Sequence, residues 1–152
     1  MDEPTLKELE KLHKPHIFAP LGNGHWFKSL GVPAERTHIL DWWEVRNVLV
    51  GLASSTPDAK NVETTFAVTC TPAQHFTGRG ILDRFKTLWS SWAIEDLGSG
   101  GTEKGFKAWF GGDTGYRSVY DGEDEDANPV CPEFKKIGEK FGGFDLAFIP
   151  IG

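Results

Sequence analysis

At 152 residues the chain is one domain's worth of sequence, enough to bury a core of its own. Hydrophobic residues at 39% and charged residues at 25% are ordinary globular values, which excludes disorder, collagen or coiled coil as a reading of the whole. A net charge of −6 argues against a nucleic-acid binder, and with no run of 18 apolar residues no membrane-spanning helix is expected. Asp2 before Glu3-Pro4 is a helix start, Leu6, Leu9 and Leu12 follow at near-helical spacing, and Pro15 stops the helix. Residues 16–20 are short, apolar and bounded by proline, which predicts a buried strand. Residues 22–30 predict a second helix, with Trp26, Phe27 and Leu30 on one face and Gly31 as its stop. Residues 37–40 read as another strand. From Trp42 the period changes: Val45, Val48, Leu49 and Val50 form a β-prone run, and 54–58 read as a turn. Over 62–71, Val62, Thr64, Phe66, Val68 and Cys70 alternate onto one side of a strand. Segments 88–94 and 106–110 flank Gly98-Ser99-Gly100-Gly101, which reads as a hairpin. An acidic loop over 121–129 leads into a helix over 132–141, with Phe134, Ile137 and Phe141 on one face, and 144–151 form a last apolar strand. The order is one α/β domain with a mixed sheet, and six Trp with 18 Gly agree with a sheet-rich fold on short connections.

The final apolar strand ends bare and the first helix opens almost at Met1, so both ends are expected to be those of a fragment. Residues 1–14 are charged and lack the apolar centre of a secretory signal, which predicts a cytoplasmic location. Cys70 and Cys131 make neither a disulfide framework nor a C-x-x-C pair, as in a reduced intracellular protein.

Two segments carry candidate chemistry. Thr71-Pro72-Ala73-Gln74-His75-Phe76 follows the best strand, and its loop is stiffened by Pro72. His75 there can aim an imidazole at a metal or substrate, or simply hydrogen-bond its own loop. Phe110-Gly111-Gly112-Asp113-Thr114-Gly115-Tyr116 also follows a strand. Asp113, between glycines, is either a metal or catalytic carboxylate or an ordinary Asx-turn. His75 and Asp113 are expected at the ends of neighbouring strands, sharing one rim of the sheet.

Other candidates fail on their residues. Gly105 is followed by Phe106-Lys107 rather than Lys-Ser or Lys-Thr, so no phosphate-binding loop forms. The acidic run 121–126 lacks the glycine of a calcium loop and reads as solvated. His13 and His16 straddle Pro15 and share no helical face. The tryptophans read as core, with a lipid or sugar surface at Trp42-Trp43 or Trp89 and Trp92 as the lesser reading.

Taken together, the TPAQHF, LWSSW and FGGDTGY segments and the closing FKKIGEKFGGFDLAFIPIG resemble the metallo-β-lactamase superfamily. Within it the chain is most similar to the N-acylphosphatidylethanolamine-hydrolysing phospholipase D branch. Phe18-Ala19-Pro20-Leu21-Gly22 and Leu40-Asp41-Trp42-Trp43-Glu44 add to the likeness, which covers nearly the whole chain. The resemblance implies part of an αβ/βα sandwich with mixed sheets, residues 1–152 forming a single incomplete domain. It implies two metal ions, usually zinc, at a sheet edge, with His75 as a metal ligand and Asp113 as the bridging ligand. It implies hydrolysis of a phospholipid phosphodiester to phosphatidic acid and N-acylethanolamine, with peripheral contact at a membrane. Oligomeric state is left open. The family's H-x-H-x-D-H motif and last histidine are absent here. Two protein ligands rarely hold zinc tightly, so this chain alone is expected to be inactive or nearly so. Were it to hold zinc, His13, His16, His25 or His38 would have to act as substitute ligands. A non-catalytic remnant or binding module, a hydrolase of another ester, and a tryptophan-lined carbohydrate-binding module are the rival readings.

Overall fold

A computed structural model describes residues 2–52, 62–75, 86–98, 105–119 and 121–150. They belong to two units, one of residues 1–41 and 76–88, the other of residues 42–75 and 89–152.

The first unit begins with helix α1 (Glu3–His13). The Asp2 carboxylate caps it, accepting the Thr5 N–H at 3.2 Å and the Thr5 hydroxyl. These bonds, the hydroxyl's first, hold the Asp2 carboxyl below the ordinary carboxylate range. Lys14, left-handed at φ 46°, ends the helix ahead of Pro15. Strand β1 (Ile17–Pro20) pairs in parallel with β2 (Thr37–Leu40), and α2 (Gly24–Ser29) lies between them in sequence. Parallel neighbours need a crossover, and α2 supplies it. The expected helix over 22–30 is shorter because the buried Asn23 turns its amide onto the Pro20 carbonyl, 2.9 Å away. Gly22 at φ 91° passes so close to Lys86 that a Cβ would meet its carbonyl oxygen at 2.5 Å. Ala19, Phe27 and Val32 form the core of this unit, with Leu6, Ile17 and Ile39 packed on them. Arg36 holds both carboxylate oxygens of Glu10 and the Pro15 carbonyl, so α1 is tied to the approach to β2.

The second unit is a five-stranded sheet in sequence order: β3 (Val45–Leu52), β4 (Val62–Thr71), β5 (Ser91–Asp96), β6 (Lys107–Phe110) and β7 (Leu146–Phe148). The first three pairings are antiparallel and the last is parallel, so the sheet is mixed, as expected of this α/β chain. Helix α3 (Pro132–Phe141) makes the crossover before β7, and Gly142 at φ 67° closes it. Lys107 donates to the Phe141 carbonyl at 2.7 Å, fixing the end of α3 to β6. Ile137 and Phe141 of α3 bury Ala93 of β5, with Trp43, Trp109, Phe134 and Phe144 around them.

The last strand is shorter than its apolar run. Residues 146–148 pair with residues 108–110 of β6. The expected strand over 88–94 starts instead at Ser91, where pairing with Thr71 begins. β5 and β6 do run antiparallel, and the Asp96 N–H bonds the Phe106 carbonyl at 2.9 Å beyond them. The glycines expected to turn this hairpin lie partly outside the described residues, as does the expected turn at 54–58. All six tryptophans are half-buried, and Trp26, Trp43 and Trp109 pack on the two cores. For those three this agrees with the reading as core residues.

Candidate metal centre at the sheet rim

The C-terminal end of β4 is buried on both faces. Thr69, Cys70, Thr71 and Pro72 are all fully enclosed. Two adjacent strand residues point to opposite sides, so the polar ones here need partners. The Thr71 hydroxyl pairs with the Ser91 hydroxyl at 2.7 Å, and Ser91 donates to the Pro72 carbonyl at 2.7 Å. The Trp109 indole N–H reaches the Thr71 oxygen at 3.3 Å. Each strand from β4 to β6 contributes one group to this network. Buried polar groups satisfied in this way fix geometry, and the loop 72–75 leaves from that fixed point.

That loop is laced to the one after β6. The Gln74 N–H bonds the Thr114 hydroxyl at 2.7 Å, and the Gly115 N–H bonds the Gln74 carbonyl at 2.9 Å. Gly112 at φ 66° turns the second loop, and the Gly111 N–H is held by the Phe148 carbonyl of β7 at 2.9 Å. His75 Nε2 thereby lies 3.2 Å from Asp113 Oδ2. The pair sits on one rim as expected, but not on neighbouring strands: β5 lies between β4 and β6. Both flank β5 antiparallel to it, so their C-terminal ends point the same way, and the loops reach across the start of β5.

The Asp113 carboxylate is 94% exposed. Among the described residues it accepts no backbone N–H, which sets the Asx-turn reading aside. An imidazole nitrogen beside an open carboxylate is a donor set that zinc accepts. The residues therefore fit a metal ion in kind, one short in number of the three protein ligands of a catalytic zinc site. Among the described residues no group of three or more His, Cys, Asp or Glu gathers to hold an ion. The acidic loop is occupied with itself: Asp124 accepts the Asp126 N–H at 3.0 Å, and Asp126 holds Arg117 at 2.7 Å. Cys70 is buried and Cys131 half-buried.

Sequence reasoning missed the cavity beside this rim. About 410 Å³ of mostly apolar space opens between the sheet and α3, lined among others by Trp109, Thr114, Tyr116, Phe134 and Ile149. Thr114 joins it to the rim, since the same residue holds Gln74 and follows Asp113. The signal was present in Tyr116 beside Gly115 and in Phe134 on the apolar stripe of α3. Their rings stack with centres 6.1 Å apart. No helix among the described residues is long and apolar enough to cross a membrane.

Comparison with known proteins gives the rim a context. The family model of a β-lactamase superfamily domain matches residues 2–152. Over its whole length the chain is 37% identical to N-acyl-phosphatidylethanolamine-hydrolyzing phospholipase D 1 of Caenorhabditis elegans, covering 35% of that protein. It is 33% identical to an uncharacterized protein of Mycobacterium tuberculosis, covering 31% of it. It is 34% identical to the mitochondrial N-acyl-phosphatidylethanolamine-hydrolyzing phospholipase D of Saccharomyces cerevisiae, covering 26% of it. The chain thus spans about a third of the length of these relatives or less. With its mixed sheet, its His–Asp pair at one rim and a family match over all but its first residue, the chain belongs to the metallo-β-lactamase superfamily.

Proposed function

We propose that this chain forms part of a zinc-dependent hydrolase that cleaves the phosphodiester of N-acylphosphatidylethanolamine, releasing phosphatidic acid and N-acylethanolamine. The observation that carries the reading is the 3.2 Å approach of His75 to Asp113 on an open rim. The activity named for the worm and yeast relatives supports the choice of substrate. His75 and Asp113 would hold the metal, with Asp113 as the bridging ligand between two ions. When bound, such ions polarise a phosphoryl oxygen and make water a nucleophile at neutral pH. His75 contributes Nε2 from a loop that the buried Thr71–Ser91–Pro72 network holds still. Asp113 contributes a carboxylate that faces solvent, open to an incoming headgroup. The remaining ligands would come from residues of a longer protein, and residues 1–152 are one incomplete domain of it. A phospholipid substrate places the protein peripherally at a membrane, on its cytoplasmic side.

A chimera tests this. The chain replaces its matching segment in the worm relative, and hydrolysis of synthetic N-acylphosphatidylethanolamine in micelles is followed by mass spectrometry. The expected result is turnover by the chimera, with at least a 100-fold loss in H75A and D113N. A folded, zinc-loaded chimera with no hydrolysis would contradict the substrate. Chelator-sensitive turnover by the 152-residue chain alone would contradict the incomplete ligand set. A second reading, a remnant that keeps the fold without catalysis, is favoured by the count of two donors. It predicts no zinc in the chimera.

A further inference from the structure

The first unit holds another pair of facing donors. His16 stands just before β1, and His38 is the second residue of β2. The parallel register sets Phe18 beside His38, so His16, two residues back, shares that face of the two-stranded sheet. His16 Nδ1 and His38 Nε2 are 2.9 Å apart. The ring planes differ by 14° and the ring centres lie 5.2 Å apart. With the facing nitrogens so much closer than the centres, the rings meet nitrogen to nitrogen in nearly one plane. One nitrogen donates and the other accepts, and a single proton holds the pair together. Phe18 lies against the His38 ring with centres 4.7 Å apart, which steadies that side. His16 is exposed and free to swing.

We propose that this pair is a binding site for one divalent transition-metal ion of the copper or nickel class, taken up in place of the shared proton. The geometry selects the class. Two lone pairs aimed at each other suit ligands on opposite sides of an ion, as in the square-planar or tetragonal complexes of Cu²⁺ and Ni²⁺. Tetrahedral Zn²⁺ wants its lone pairs converging. With nitrogen–metal bonds of about 2.0 Å, opposed ligands sit about 4 Å apart, so the pair opens by about 1 Å. His16 provides that movement, and water reaches its exposed side to fill the other positions. The Arg36 charge is offset by Glu10, whose carboxylate it holds with both guanidinium nitrogens. The site shares no residue with the His75–Asp113 pair and stands apart from the hydrolase reading. On uptake the shared proton is transferred to the remote ring nitrogen of the histidine that carried it, so that two neutral imidazoles face the ion, and binding weakens as acid competes for the nitrogens.

The test is calorimetric titration of the 152-residue chain with CuCl₂ and with NiCl₂. Nickel is included because the Cys131 thiol can reduce copper. The expected result is one ion per chain at the tighter site, bound at least tenfold more weakly by H16Q and by H38Q. Cu²⁺ should bind tighter than Zn²⁺, and electron paramagnetic resonance of the copper form should show two nitrogen ligands. H16Q alters an exposed side chain, so it is decisive if H38Q fails to fold. Unchanged affinity in H16Q, or no binding by the unmodified chain at millimolar metal, would overturn the proposal.

Discussion

Ala93 and Ile94 are adjacent in β5, yet the first is fully enclosed and the second 42% exposed. They represent the two faces of the five-stranded sheet. One face carries the row Val45, Thr69, Ala93, Trp109 and Ala147, and α3 lies on its Ala93–Trp109 part. The other carries Ile94, Phe110, Leu146 and Phe148, all exposed, the last two strands' phenylalanines at 55% each. Both faces are apolar, so composition does not separate them. Over β5 to β7 the covered face contributes most of the burial energy, although the residues of the open face are as hydrophobic. The rim site lies where this contrast vanishes, at the end of β4 that is closed on both sides.

Breaking the covered face should have the largest effect. Phe141→Ala removes a ring packed on Ala93 and should cost about 3–5 kcal/mol, read as a lower midpoint in urea unfolding. A loss under 1 kcal/mol would mean that α3 does not hold the sheet. The rim network should give the next largest effect. Thr71→Val strands the Trp109 N–H and one bond of Ser91, at a cost of about 1–3 kcal/mol, and should loosen the His75 loop. Slower amide exchange at Gln74 in that variant would contradict the role assigned to the network. The open face should give the smallest. Phe110→Thr should stay within about 0.5 kcal/mol while raising the concentration at which the chain remains soluble, because large exposed apolar patches favour association. A cost as large as that of Phe141→Ala would show that the open face is covered in solution.

The sequence makes the covered face easy to read and the rim hard. Phe134, Ile137 and Phe141 announce their side of α3 by spacing alone, and the helix is found where expected. In β4 the alternation of Val62, Thr64, Phe66, Val68 and Cys70 implies that Thr69 and Thr71 look outward. Both are enclosed, Thr71 because Ser91 and Trp109 meet it from other strands, and a period of two cannot show that. Apolar content likewise overstates the final strand, whose ladder with β6 runs over residues 146–148. His75 and Asp113 were legible as strand-end donors and by resemblance. Their 3.2 Å approach depends on the order of β4, β5 and β6, which no local pattern encodes. The His16–His38 contact is equally long-range, and spacing shows only that His16 shares no helical face with His13.

The most direct test of the rim is a zinc titration followed by NMR of the histidine side-chain nitrogens. The account predicts that His75 Nε2 shifts on adding Zn²⁺, weakly and reversibly, and that the shift disappears in D113N. If His75 is unmoved while the chain binds zinc elsewhere, or shifts equally in D113N, then His75 and Asp113 are not a metal pair and the central claim fails.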